Sequence, residues 1–322
     1  MRAIRVGEFG GPEVLTVAEV ADPVAGPGQV VVGMAAADVI YLDTLLRAGW
    51  GGDYFPLEPP YGPGGGGAGR VLSVGDGVDP GWVGRHVLAR GAGGYAERMV
   101  AEAAESVEVP EGVASADAAA LLHDGVTAQM LLATGEVQRG EWVLVAAAAG
   151  GAGSLVVQLA KEAGARVVAA ARGERKLALA KELGADVTVD YSKPGWQQRV
   201  IEATGGTGVD LAYDGAGGQL GRDAFDAVRR GGRFITYGTA SGGLADIDPD
   251  RAEQRNVTVT NALEAGSPGA EQVRALLGEA LRRVADGTLT PTIGATYPLA
   301  EAARAHEALA ERTTVGKSLL LI

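Results

Sequence analysis

Between residues 142 and 237 the chain alternates short apolar runs with segments whose apolar positions recur at helical spacing. The runs at 142–146, 166–170, 187–189, 209–213 and 233–237 read as strands, and the segments at 154–163, 175–183, 196–203 and 224–228 as helices. Strands alternating with helices predict βαβ units, and strands apolar on both faces predict a parallel sheet covered from both sides. The expected plan is a doubly wound α/β sheet. A further β-rich run covers 257–262, helical spacing returns at 270–285, and 318–322 reads as a final strand.

The first 115 or so residues have another texture. Residues 29–34 alternate loosely, 69–74 are β-rich, and turn clusters such as Gly75-Asp76-Gly77 separate them, so a compact β-rich domain is expected. Ala-rich helical stretches at 115–122 and 127–134 then lead into the alternating region. A length of 322 residues exceeds what one hydrophobic core usually serves, which agrees with two domains. The last helix and strand are assigned to the first domain.

Charge and composition narrow the function. The net charge is −12, and no block of Lys and Arg resembles a phosphate-backbone footprint, so nucleic acid and anionic membrane are poor partners. No cationic start precedes an apolar segment, and no uninterrupted apolar run approaches membrane-spanning length, so a cytoplasmic location is expected. The absence of cysteine removes disulfides, thiolate nucleophiles and Cys-ligated zinc, and three histidines leave little for another metal site.

The chemistry therefore points to the first strand-to-helix turn of the alternating region. Val143-Leu144-Val145 runs into Ala146-Ala147-Ala148-Ala149-Gly150-Gly151-Ala152-Gly153, and a helix follows at once. Gly150 and Gly151 let backbone approach a diphosphate, Gly153 lets the helix pack on the strand, and free N–H groups at the helix start face negative charge. Ala148 holds the first glycine position of the full G-x-G-x-x-G pattern. In such a fold an acid at the end of the next strand binds the ribose 2′-hydroxyl of NAD. Here that position is Ala171, followed by Arg172, Arg175 and Lys176, cations suited to a 2′-phosphate, with Glu174 among them. NADPH is the expected cofactor.

Motifs spread over nearly the whole chain resemble the zinc-free quinone oxidoreductase and zeta-crystallin branch of the medium-chain dehydrogenase/reductase superfamily. They include Met1-Arg2-Ala3-Ile4, the Phe9–Leu15 turn with Gly10-Gly11-Pro12, Gly93-Gly94-Tyr95-Ala96-Glu97, Ala149-Gly150-Gly151-Ala152-Gly153, Leu183-Gly184-Ala185-Asp186 and Gly231-Gly232-Arg233. The resemblance implies a GroES-like β-rich catalytic domain (1–118 and 264–322) and a Rossmann domain (119–263), with NADPH in the cleft between them. By position it implies that Thr127 touches the nicotinamide side, Gly150, Gly151, Ala152 and Gly153 the pyrophosphate, and Lys176 and Tyr191 the 2′-phosphate. Gly238 would form the wall beside the nicotinamide ribose. Arg172 joins them on charge and position. Two plainer roles stand beside these: Tyr191 as an edge aromatic at a strand end, and Thr127 as a helix cap.

Zinc-dependent relatives carry a cysteine, a G-H-E segment and a third ligand. This chain has Ile40 at the first position and Gly64-Gly65-Gly66 at the second, with His123 near the third, so no metal site is expected. The zinc-free branch usually has G-V-N where this chain reads Asp38-Val39-Ile40, so the family asparagine is missing. Tyr41 is the nearest residue able to donate a proton or bound the pocket, or it packs at the domain junction. Asp43 reads as a cap of the next helix. His123, next to Asp124, can relay a proton or be a partly buried, satisfied histidine.

The resulting expectation is hydride transfer from NADPH to a quinone or similar conjugated carbonyl compound, in a pocket bounded by Tyr41, Leu45, Trp50, Tyr54 and Tyr61. An NADPH-dependent enal, enone or 2-enoyl thioester reductase is one rival, and a non-catalytic NADPH-binding protein is another. Val257-Thr258-Val259-Thr260 resembles the edge strand through which this family pairs sheets, so a homodimer is expected.

Overall fold

The computed structural model describes residues 1–52, 56–262 and 268–322. The sequence-derived domain boundary at 263/264 and the pocket residue Tyr54 lie outside the described residues. By contacts, Met1–Val126 with Gly269–Ile322 forms one compact unit and Thr127–Pro268 a second.

The first unit opens with an antiparallel pair, β1 (Arg2–Val6) and β2 (Leu15–Glu19). The long strand β3 (Gln29–Val39) runs into the short helix α1 (Tyr41–Arg47), and β4 (Gly66–Val74), β5 (His86–Arg90), β6 (Arg98–Glu102) and β7 (Val107–Glu108) follow. Then come α2 (Ser115–Leu121), packed on β3 and β4, and α3 (Asp124–Gly135), in which the division between units falls.

The second unit is laid down as β8 (Trp142–Ala146), α4 (Gly151–Glu162), β9 (Arg166–Ala171), α5 (Glu174–Glu182), β10 (Val187–Asp190), α6 (Trp196–Ala203) and β11 (Val209–Asp214). It finishes with α7 (Gly218–Asp226), β12 (Val228–Thr236), α8 (Pro249–Arg255) and β13 (Thr258–Asn261). The chain then returns to the first unit with α9 (Ala270–Ala285), β14 (Ile293–Pro298), α10 (Ala302–Ala310) and β15 (Lys317–Leu321).

The main sheet of the first unit has the order β14-β15-β3-β4-β5-β7, with β6 also paired to β3. Every pairing in it is antiparallel except β14 with β15. Its inward residues, among them Val30, Val32, Met99 and Leu320, share one core with Ile4 of β1. The sheet of the second unit is wholly parallel, ordered β10-β9-β8-β11-β12-β13. Its strands are apolar on both faces because helices cover both, as the continuous apolar runs predict. Leu144, Val168, Val200, Phe225 and Phe234 anchor that core. The strand order reverses between β8 and β11, and in such sheets ligands bind outside the carboxyl ends of the strands at that point.

Two expected helix boundaries shift. The helix expected from 154 begins at Gly151, so part of the glycine turn is its first turn. The helix expected at 224–228 is α7, which starts at Gly218 and ends at Asp226, while Val228 opens β12. Its cap Gly217 has φ +70°, and the glycine pair 217–218 reads locally as a turn, whereas buried Gly221, Ala224 and Phe225 supply the helical face. Among the described residues no helix is long and apolar enough to cross a membrane.

Candidate functional site

In the second unit the glycine turn sits at the carboxyl end of β8, the strand beside the order reversal. Ala147 takes a left-handed conformation (φ +61°) and its carbonyl accepts the Gly150 N–H at 3.0 Å. That carbonyl fixes the next choice: a Cβ on Gly153 would lie 2.3 Å from it. Gly153 is thus packed on the turn itself rather than on the strand. Gly150 differs, because its φ is −84° and a Cβ there would meet only the same oxygen, at 3.4 Å. Folding therefore does not demand glycine at 150. Among the described residues the N–H groups of Gly151, Ala152 and Gly153 meet no acceptor, so this first turn offers donors and a positive dipole end to an anion.

The neighbouring strand β11 ends in Asp214, a fully buried carboxylate that the sequence reading passed over. It accepts the N–H groups of Ala216 and Gly217 at 3.0 and 2.9 Å and the Thr236 hydroxyl at 3.1 Å. Burial raises its carboxyl above the usual range even against these bonds. Asp214 therefore sets the loop beside the glycine turn, where the Gly215 N–H reaches the Ala146 carbonyl at 3.3 Å. Gly238 packs against that loop: a Cβ there would fall 2.2 Å from the Gly215 carbonyl oxygen.

At the next strand ends, β9 and β10 pair with Ala171 opposite Asp190, which brings Arg172 and Tyr191 to one edge of the sheet. Arg172 is exposed and forms no ion pair among the described residues, and Lys176 lies half-buried in the first turn of α5. The Asp190 carboxylate is occupied by Ser192 and the Gly173 N–H; these bonds outweigh its partial burial and hold it below the usual range. Tyr191 packs edge-on against Trp196, ring centroids 6.2 Å apart. Thr127 is the fourth residue of α3, so it does not cap that helix.

The first unit carries two polar clusters. In one, Tyr95 of the Gly-Gly-Tyr segment is buried and donates its hydroxyl to Asp43 at 2.8 Å. Its oxygen also meets His306 Nε2 at 3.2 Å, and His306 Nδ1 meets Arg47 at 3.2 Å. Asp43 accepts the Ile40 N–H at 3.0 Å as well, so it caps α1. Tyr41 opens that helix half-buried, and its phenol makes no hydrogen bond among the described residues.

In the other cluster His123 departs from expectation. Its Nδ1 meets Asp38, at 2.6 Å, not the adjacent Asp124. Asp124 pairs instead with Lys317 at 2.9 Å, and Lys317 contacts Asp38 too. Neither Asp38 nor Lys317 was singled out by sequence reasoning, since 85 residues separate Asp38 from His123. At Gly65, the histidine position of the zinc-binding segment, a Cβ would lie 2.8 Å from the His123 ring, so a side chain there would require that ring to shift. Ile40 and the three glycines offer a metal no side-chain donor, and among the described residues no three His, Cys, Asp or Glu side chains group as a metal site.

Residues 26–111 match the family described as alcohol dehydrogenase GroES-like domain, and residues 151–281 the family described as zinc-binding dehydrogenase. The chain is 33% identical over 326 residues to a quinone oxidoreductase of Pseudomonas aeruginosa, covering 99% of each protein. It is 35% identical to a 2-haloacrylate reductase of a Burkholderia species, over 97% of this chain and 96% of the relative. A mycobacterial protein solved in complex with NADPH superposes with a TM-score of 0.92 at 36% identity, over the full length of both chains. The glycine turn, the parallel sheet and these full-length likenesses agree: the chain belongs to the quinone oxidoreductase branch of the medium-chain dehydrogenase/reductase superfamily.

Proposed function

We propose that this protein is an NADPH-dependent reductase of quinones or closely related conjugated carbonyl compounds. The observation that carries the reading is Gly150, a glycine the fold does not need, next to three N–H groups that meet no acceptor among the described residues, where the strand order reverses. A Cβ there would occupy the space through which a diphosphate meets those donors. The NADPH complex of the mycobacterial neighbour supports the same cofactor.

Gly150, Gly151, Ala152 and Gly153 would hold the pyrophosphate of NADPH, Arg172, Lys176 and Tyr191 its 2′-phosphate, and Thr127 and Gly238 the nicotinamide half. When bound, the cofactor supplies the hydride. The protein orients the reactants and delivers a proton, for which His123 and Tyr41 are the candidate groups. Quinones and enones accept hydride without a metal to polarise the carbonyl, which suits a chain with no zinc ligands at the family positions.

A second reading, reduction of a conjugated C=C bond, draws on the Burkholderia 2-haloacrylate reductase. NADPH oxidation assayed with 1,4-benzoquinone, 9,10-phenanthrenequinone and crotonaldehyde separates the two. Turnover of the quinones is expected; turnover of crotonaldehyde alone would establish the second reading. Tight NADPH binding without turnover of any acceptor would point to a non-catalytic binding protein. We further propose a homodimer paired through β13, the edge strand of the parallel sheet.

A further inference from the structure

Four ionisable side chains of the first unit form one continuous array. Lys317 is 4% exposed, and its ammonium contacts both Asp38 and Asp124. Asp38 is completely buried and takes His123 Nδ1 on its second oxygen. The β3–β15 register, with Leu319 opposite Asp38, brings Lys317 to this place. Burial alone would push the Asp38 carboxyl up, yet Lys317 and His123 together hold it below its usual value. Asp124 and Asp38 raise Lys317 against the opposing effect of burial.

A buried lysine between two carboxylates is costly to desolvate. Lys317 reaches one oxygen of Asp38 and His123 Nδ1 meets the other, so the carboxylate is held from both sides. The far end of His123 is open. Its side chain is 25% exposed, and Nε2 has no hydrogen-bond partner among the described residues. Gly65 lies beneath it, where a Cβ would come within 3.0 Å of Nε2.

We propose that Asp38 is a positioning residue, clamped by Lys317 and Asp124, which holds His123 by Nδ1 so that Nε2–H is the proton donor to the reduced acceptor. The proposal rests on the reductase reading above. A quinone becomes a hydroquinone by gaining a hydride, which carries both electrons from NADPH and leaves NADP⁺, and one proton. The Nε2–H bond breaks as the O–H bond forms on the acceptor, and water returns a proton to the neutral imidazole.

The test uses the full chain, saturating NADPH and 9,10-phenanthrenequinone. Replacing His123 by Gln should lower kcat by roughly 100-fold with little change in NADPH affinity, and added imidazole should restore part of the activity of His123→Ala. Asp38→Asn alone strands a buried ammonium and can unfold the protein. The double variant D38N/K317M removes both charges; it should fold, bind NADPH, and still lose about tenfold or more in kcat. Proton NMR of the cofactor-free protein gives a readout besides activity. A downfield imidazole N–H resonance, absent from H123Q, should also be lost or moved upfield in D38N/K317M. Wild-type turnover in either H123Q or D38N/K317M would overturn the proposal. A wild-type protein that oxidised NADPH with no acceptor would overturn the reductase reading first, and this proposal with it.

Discussion

The carbonyl oxygen of Ala147 stands 2.3 Å from where a Cβ of Gly153 would be, while the same atom leaves 3.4 Å for a Cβ on Gly150. Two glycines of one turn are therefore glycines for different reasons, and substitution should separate them. Gly153→Ala forces α4 off the turn and should lower stability by about 1–3 kcal/mol, as overpacking does. Gly150→Ala should leave the melting temperature within a degree or two of wild type and weaken NADPH binding by about tenfold or more, read by cofactor fluorescence. Equal affinity in wild type and Gly150→Ala would mean that no diphosphate approaches this turn.

The cations after β9 give the next prediction. Charge-assisted bonds from Arg172 and Lys176 to a 2′-phosphate would be absent with NADH, so removing both side chains should weaken NADPH by about 10- to 100-fold and leave NADH nearly unchanged. Calorimetry with both nucleotides measures this. Equal losses would assign these side chains to the fold rather than to cofactor choice.

Most of the parallel sheet was legible because its information is local. Apolar runs such as Val143–Val145 and Val167–Ala170, broken by helical spacing, leave few other arrangements, and the glycine turn announces itself between them. What escaped was non-local or masked by glycine. The start of α7 was hidden because Gly217 and Gly218 read as a turn, although the first is a cap. The Asp38–Lys317 contact escaped because nothing near either residue marks it; only antiparallel pairing of β3 with β15 places a lysine from the end of the chain beside an aspartate near its start. His123 was singled out with the wrong neighbour. Sequence adjacency to Asp124 suggested a partner that the fold had already given to Lys317.

The edge strand β13 exposes Val259 at 38%, an apolar side chain on a strand with one side unpaired among the described residues. Covering that edge with a second copy would satisfy its backbone groups. Val259→Lys should shift the mass measured by light scattering from dimer toward monomer while leaving the far-ultraviolet circular dichroism unchanged. A wild-type protein that is monomeric at tens of micromolar would remove the proposed interface.

His306 makes acid stability the sharpest global test. Burial first, and Arg47 second, push its imidazole down from 6.5 to about 3, so the native protein keeps it neutral between Tyr95 and Arg47. Above pH 6.5 the ring is neutral whether the chain is folded or not, and its contribution to stability is fully present. Below that, the unfolded chain binds a proton that the native state refuses, and stability falls by about 1.4 kcal/mol for each pH unit until the native ring also protonates. By about pH 4.5 the loss should reach roughly 2–3 kcal/mol. His306→Gln removes this proton linkage. Asp43, whose buried carboxyl is raised, titrates in both proteins and largely cancels in the difference. Urea unfolding across this range should therefore show wild type losing stability more steeply than the variant below pH 6.5, with the two slopes parallel above it. Parallel slopes throughout would mean that His306 accepts its proton in the folded protein as readily as in the unfolded chain.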